Sequence, residues 1–448
     1  MTVEAFEDNF LAVDRANLAN LRQMGYGFVD LIIDRVYGNT HEHLSPDASP
    51  FHTTIPVQGN NWQKLIKELE TEVLPRCLNV HNPRYVAHMD SVPLAITVWA
   101  DALISALNNN MLSHELSPLF SPMELDLVRW FGSLFGWDDQ CFGALMAGGS
   151  LANLLALRIA KYKYRHVPNQ NLVVVPESAH TSFDKAMQVL GWDTENLIRV
   201  PCHRSGEMDI SALAEILAVK AKGGQTPFLI LAIGGTTVTG AFDDFLAIAQ
   251  IAHQYQAWLH LDCAYGGAVI FSQRWKHLLN GSHLANSITF NPQKWMAIAR
   301  TCAMLLVKDG QDWHRALDIP LPYMQNHHPN LGRWGLQGTR RTDILKVWLA
   351  LQSLGTAGYA QLIDRTMDNT LAMLAWLQEH PDLQLLWQPT VNIVCMQSRH
   401  PHLDNRSLHK LLLDRGQLGL SLPLWQGEYI LRAVLLHPYS DRVFSTGK

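Results

Sequence analysis

The chain has 448 residues, 48 % of them hydrophobic and 17 % charged, with a formal net charge of −5; the length exceeds what one hydrophobic core usually serves, and the composition is that of a globular protein with apolar surface to spare for a partner subunit. A negative balance without a basic stripe argues against nucleic acid as a partner, and no run approaches the roughly 18 apolar residues of a membrane span. The first ten residues, MTVEAFEDNF, carry acids where a signal peptide carries lysines, so a cytoplasmic protein is expected.

Residues 1–85 carry two stretches of helical periodicity, DRANLANLRQMGYGFVDLIIDRVY and NWQKLIKELETEVL, joined by the extended SPDASPFHTTIPVQGNN. Two amphipathic helices with no core of their own must pack on the main body or on a second subunit. Helical spacing returns in ITVWADALISALNNNML and MELDLVRWFGSLFGW, and between them Ser121 reads as an N-cap with Glu124 completing a capping box. After Gly143 the pattern changes to apolar strands at 171–177, 227–234, 257–264, 287–292 and 302–309, alternating with helices such as ANLLALRIAKYKYR and ISALAEILAVKAK. Near-continuous apolar strands joined by amphipathic helices predict a mainly parallel α/β sheet covered on both faces, with ligands beyond the carboxyl ends of its strands. DIPLPYMQNHHPNLGRWGLQGTRR at 318–341 reads as a long loop, followed by the helix TDILKVWLALQSLG and a C-terminal α/β segment. The expected division is therefore an N-terminal helical segment (1–85), a large domain (86–320), and a loop with a small C-terminal domain (321–448).

The six cysteines, Cys77, Cys141, Cys202, Cys263, Cys302 and Cys395, form no CxxC pair and are expected as buried free thiols. HEH at 41–43 and HH at 327–328 lack a third ligand at helical spacing, so no metal centre is expected.

Four motifs carry chemistry. In GGSLAN, Gly148, Gly149 and Ser150 open a helix and offer N–H groups and a hydroxyl to an anion, although such a triplet alone is usually only a turn. His180 follows the strand NLVVVPE and can either stack on a flat heterocycle or cap the next helix. Asp262 closes the apolar strand AWLHLDCA, where a carboxylate needs a partner such as a protonated ring nitrogen, and Ala264 leaves room on the same face. Lys294, in NPQKW, supplies an amine that desolvation makes nucleophilic. A lysine beside a tryptophan is ordinarily a surface residue. Joined to an anion cradle, a stacking histidine and a ring-nitrogen carboxylate, it meets the needs of pyridoxal phosphate.

The order GGSLAN, HTSFDKA, HLDCAYGG and NPQKW resembles the group II pyridoxal-phosphate amino-acid decarboxylases, of the type I (aspartate-aminotransferase) fold. The resemblance implies a seven-stranded large domain and a homodimer with active sites at the interface. It makes Lys294 the Schiff-base lysine, Asp262 the partner of the pyridine nitrogen, Ala264 the residue under the ring and His180 the stacking group. Gly148, Gly149 and Ser150 become phosphate binders, Thr236 a threonine near the cofactor, and residues 84–90 with SHELSPLF the substrate side. Three departures stand out. Gln293 replaces the usual histidine before the lysine, Met146 and Ala147 replace a threonine–serine pair, and Leu331 falls where a loop tyrosine is common, which makes Tyr323 a candidate proton donor beside His180 and Lys294. The expected reaction is decarboxylation of an L-amino acid to the amine and CO2. Alternatives are an aldehyde-forming decarboxylase–oxidase or other Cα lyase, and a non-catalytic dimeric scaffold.

Overall fold

A computed structural model describes residues 17–37, 44, 49–324 and 328–444. The features expected at residues 1–16, His41, His43 and His327 lie outside the described residues.

Seven apolar runs form the central sheet: β1 (Phe142–Met146), β2 (Gln170–Pro176), β3 (Leu197–Val200), β4 (Thr226–Ile233), β5 (Trp258–Asp262), β6 (Ser287–Phe290) and β7 (Ala303–Val307). Their order is β1-β7-β6-β5-β4-β2-β3. The pairs among β2 to β6 are parallel, whereas β7 runs antiparallel to both β6 and β1, which returns β1 to the common direction. The carboxyl ends of β1, β2, β4, β5 and β6 therefore open on one edge of the sheet. β1 and β3 were not among the expected strands. β1 reads in sequence as the approach to the glycines, and β3 is a four-residue edge strand buried only at its end, too short for a periodic signal. Helices Gly149–Lys163, Ser182–Val189, Ile210–Lys222 and Phe245–Gln254 follow β1, β2, β3 and β4. Asp209 and Asp244 start the last two by accepting from backbone N–H groups of the first turn.

The capping box expected at Ser121 and Glu124 does not form. The helix Phe120–Leu134 already includes Ser121, whose buried hydroxyl has no partner. Glu124 is instead 1 % exposed, accepts from Leu145 N–H (3.2 Å) and pairs with the Arg340 guanidinium (3.0 Å), joining this helix to β1 and to the distant GTRR segment. A long-range ion pair has outcompeted a local cap. Glu124→Ala leaves an uncompensated buried guanidinium, so a stability loss of about 3–5 kcal/mol is expected in urea unfolding.

The helix Ile344–Glu379 runs through both halves of the molecule and breaks at Gly355, whose φ of 62° lies in the left-handed region. Before the break Ile344, Val347 and Ala350 join the main core; near its end Met373 and Leu377 pack in a second core with Leu383, Val394 and Leu431. That second core is backed by an antiparallel sheet of Leu383–Leu385, Ile393–Ser398 and Leu431–Val434. Val86 belongs to it as well, donating its N–H to Gly419 O (2.9 Å) and accepting from Val434 N–H (2.6 Å). The two cores thus do not part at residue 321.

The described residues of the segment 318–341 are largely irregular, with one 3₁₀ turn among them at Leu331–Trp334. It is tied down on residues 112–114: Asn330 Oδ1 accepts from His114 N–H (3.0 Å) and Gly332 N–H donates to Leu112 O (2.9 Å). The N-terminal helix Leu18–Leu31 buries none of its residues; it meets the helix Trp62–Glu68, where Trp62 Nε1 donates to Asn20 Oδ1 (3.0 Å). Tyr26 is 65 % and Val57 98 % exposed. Of the cysteines all six are free, and Cys77 is exposed rather than buried.

Candidate active site

A cavity of about 250 Å³ opens at the carboxyl edge of the sheet, lined among others by Gly148, Ser150, His180, Asp262, Ala264 and Lys294. Each strand delivers one part because its apolar run ends there and the following residue turns polar.

After β1, the helix starts at Gly149, so the N–H groups of Gly149 and Ser150 have no intrahelical acceptor. Gly149 is required for close packing, since a Cβ there would stand 2.8 Å from Asn291 Nδ2. A Cβ on Gly148 would meet nothing within 4 Å, so the space above this helix start is open. After β4, Gly235 turns with φ of 89° and lines the cavity. After β6, Asn291 contributes a buried Oδ1 without a partner, and Gln293 spends its Oε1 on Cys302 N–H (2.6 Å), which leaves its amide N–H groups as donors to the cavity.

After β2, His180 Nδ1 accepts the N–H of Ser182 (3.1 Å), so a neutral ring carries its proton on Nε2. Desolvation pulls this imidazole below its usual range, and the Asp262 carboxylate opposes that shift. At the end of β5, Asp262 is 8 % exposed and accepts twice, from Asn153 Nδ2 (2.9 Å) and from Ala264 N–H (3.1 Å). Lys294 shares the cavity, and burial lowers its amine's pKa, opposed chiefly by the charge of Asp262 and helped by Arg300. Its neighbour Trp295 is 1 % exposed, stacks on Tyr265 (5.0 Å between centroids) and donates to Thr366 Oγ1 (2.8 Å). The tryptophan that suggested a surface lysine is what fixes Lys294 in the interior.

Thr236 stands differently from its expected place. It is 1 % exposed, its hydroxyl bonds Thr239 Oγ1 (2.6 Å) and accepts from Ala241 N–H (3.0 Å), and Thr237 lines the cavity instead. The turn after Gly235 consumes one threonine hydroxyl internally and turns the next residue outward. Tyr323 does not reach the cavity of its own chain either; it is 69 % exposed on the loop. Leu331 is 4 % exposed in the main core and so holds an apolar position rather than a chemical one. Of the residues expected on the substrate side, none of 84–90 lines the cavity. Ala87 O and His88 Nδ1 lie on the buried Arg432 (3.0 and 3.2 Å), which also donates to Thr237 O (2.5 Å) behind the cavity wall, and Asp90 pairs with Arg300. His114 stacks on His328 (4.2 Å) away from the cavity. Residues not singled out in sequence are Asn153, Ser178, Thr237, Tyr265 and Asn291; Asn153 stands within GGSLAN, one helical turn beyond Ser150, so helical periodicity carried a signal for it.

The donor set suits a phosphorylated heterocyclic aldehyde: free helix-start N–H groups for a phosphate, a carboxylate for a protonated ring nitrogen, and an amine for the aldehyde. The open space over Gly148 is consistent with that occupant.

Beside the site lies a titrating group. Burial pushes His260, on β5 two residues before Asp262, down from 6.5 to about 4. Because its folded pKa is depressed, the stability it contributes is complete above pH 6.5 and is lost as the pH falls through about 4, roughly 3 kcal/mol in all. Thermal unfolding followed from pH 7.5 down to pH 4 is expected to show this loss on the acid side.

Comparison with known proteins agrees with the geometry. The family described as "Pyridoxal-dependent decarboxylase conserved domain" matches residues 46–399. An aromatic-L-amino-acid decarboxylase of Bacillus atrophaeus is 27 % identical over 442 residues, covering 93 % of this chain and 92 % of the relative. An L-2,4-diaminobutyrate decarboxylase of Acinetobacter baumannii is 29 % identical over 358 residues, 74 % of this chain and 70 % of the relative. The crystal structure of Oryza sativa TDC with PLP and tryptamine superposes with a TM-score of 0.89 at 22 % identity, covering 96 % of this chain and 97 % of that one, a likeness of fold.

Proposed function

The chain belongs to the pyridoxal-dependent decarboxylase family, and from that membership we infer that it removes CO2 from the α-carbon of an L-amino acid and yields the amine. The observation that carries this reading is that Lys294, Asp262 and the free start of the helix Gly149–Lys163 line one cavity.

In this reading the N–H groups of Gly149 and Ser150, with Gly148 and the Gln293 amide, would hold the phosphate of pyridoxal phosphate. Asp262 would hold the ring nitrogen, and Ala264, His180 and Thr237, the last in place of the expected Thr236, would line the space for the ring. When bound, pyridoxal phosphate supplies a protonated pyridine ring that accepts the electron pair left behind as the carboxylate departs. The Asp262 carboxylate would keep that nitrogen protonated. Lys294 would carry the cofactor between turnovers, and burial, which lowers its pKa, favours the uncharged, nucleophilic amine. The proton delivered to Cα would come from Lys294 or from Nε2–H of His180 inside the cavity, or from Tyr323, exposed on its own chain, acting across a subunit interface.

We place the protein in the cytoplasm, where its free thiols persist; no described helix is long and apolar enough to cross a membrane. We further propose a homodimer whose partner covers the unburied helix Leu18–Leu31, since Tyr26, Phe28 and Val29 stand exposed on it. Light scattering on the purified protein is expected to give twice the chain mass. The relatives act on side chains as different as aromatic and diaminobutyrate, so the substrate is set by assay. Purified protein with pyridoxal phosphate, offered the common L-amino acids and diaminobutyrate, is expected to release CO2 and a matching amine from a narrow subset. Aldehyde, ammonia and peroxide in place of amine, or no turnover from any of them, would count against the reading.

A further inference from the structure

The Asp262 carboxylate is reached from within the fold by an unbroken run of hydrogen bonds that the decarboxylation chemistry does not by itself require. Alternation along β5 places Trp258, His260 and Asp262 on one face, and the parallel register sets Ser287 of β6 opposite His260 and Thr289 opposite Asp262. Asn153, on the helix that opens at Gly149, lies across them. All six side chains are buried.

The direction of every bond in this run is dictated by its ends. An ionised carboxylate only accepts, so Asn153 must turn Nδ2 toward Asp262 (2.9 Å), with Ser182 Oγ as the second acceptor of that amino group (3.0 Å). Asn153 Oδ1 then faces Thr289 Oγ1 (2.6 Å) and His260 Nε2 (3.3 Å), and both must donate to it. With its proton on Nε2, His260 presents a bare Nδ1 to Ser287 Oγ (2.8 Å). At the far end Trp258 Nε1, a donor only, gives its N–H to Ser287 Oγ (2.7 Å), which leaves the serine proton for His260. The two ends demand the same polarity, and a neutral imidazole with one donor and one acceptor is the group that joins them. A residue with no polar edge at 260 would leave the Ser287 proton without its acceptor and Asn153 Oδ1 held by Thr289 alone.

We propose that His260 is a positioning residue for cofactor retention: acting through Asn153, it fixes the rotamer of Asp262, so that the carboxylate stands ready for a protonated ring nitrogen. The proposal rests on the decarboxylase reading given above. Groups one shell out from a ligating residue commonly govern affinity by about 10–100-fold, and that is the scale expected here.

The test titrates the stripped protein with pyridoxal phosphate, reading the dissociation constant from quenching of tryptophan fluorescence, with kcat and KM measured on the reconstituted enzyme. His260→Phe is expected to weaken pyridoxal phosphate at least about 10-fold and to lower kcat with KM nearly unchanged. His260→Gln, whose amide can donate to Asn153, is expected to recover most of both. Should His260→Phe fail to fold, the double variant Ser287→Ala with Thr289→Val makes only small side-chain changes and is expected to weaken the cofactor in the same direction. Variants that fold and bind the cofactor as tightly as wild type, or a His260→Gln no better than His260→Phe, would overturn the role of His260 alone. A wild-type protein that takes up no pyridoxal phosphate would overturn the decarboxylase reading along with it.

Discussion

Lys294→Ala is expected to abolish CO2 release, by roughly 10³-fold or more, while the stripped protein stays folded. The amine is lost from the cavity where desolvation lowers its pKa, and no other lysine among the described residues lines that cavity. Lys294→Arg is the sharper control. It keeps the positive charge and much of the length, yet a guanidinium does not give up its proton near neutral pH and so offers no nucleophile. Both variants are therefore expected to be equally inactive and to lack the yellow colour of the cofactor-loaded protein. Because burial disfavours the charged amine, the native state gains nothing from ionising Lys294, and the stripped Lys294→Ala protein is expected to melt no lower than stripped wild type. An active arginine variant would move the chemistry elsewhere.

Asp262→Asn carries the second large effect, an expected fall of about 10²–10³-fold in kcat. The exchange keeps the shape and removes the charge. It also breaks the hydrogen-bond logic on the protein side. Asp262 accepts from Asn153 Nδ2 on one oxygen and from Ala264 N–H on the other, and an asparagine must turn its own amino group toward one of those donors. One facing donor pair in a buried site costs about 1–3 kcal/mol, so thermal stability of the stripped protein is expected to fall together with activity. The charge of Asp262 raises the pKa of His180 against desolvation. Removing it is expected to lower the His180 titration further, which NMR of the imidazole C–H signals in the variant can follow. Asp262→Asn with near-normal kcat would mean that the ring nitrogen is served by some other group.

The remaining contrasts lie between what is local along the chain and what is not. The strand runs, the helices between them and the order of the four motifs were legible because each is a short-range pattern: burial on both faces makes β4 and β7 almost wholly apolar, and helix starts need glycine or a capping carboxylate. Lys294, Asp262, His180 and the Gly148–Ser150 start could be singled out for the same reason, since each is a polar residue at the end of an apolar run. Residues such as Asn153, which meets Asp262 109 positions away, depend on how strands align side by side, and no local pattern encodes that register.

Glu124 shows the same limit from the other side. Its spacing from Ser121 is that of a capping box, but folding brings Arg340 to it from 216 residues away, and a desolvated charge pair outweighs one neutral cap. Thr236 and Thr237 are adjacent in sequence, and only the turn after Gly235 decides which hydroxyl faces the cavity. Tyr323 was a candidate because a loop tyrosine is chemically able, whereas its placement in space leaves it on the surface of its own chain. By itself, then, the sequence determined the fold class and the cofactor chemistry and singled out Lys294 and Asp262 as candidates, because these are written in residue types at strand ends. The tertiary structure alone decided which neighbours orient that pair, because the register of β5 against β6 and the helix laid over them set hydrogen-bond distances between residues far apart in the chain.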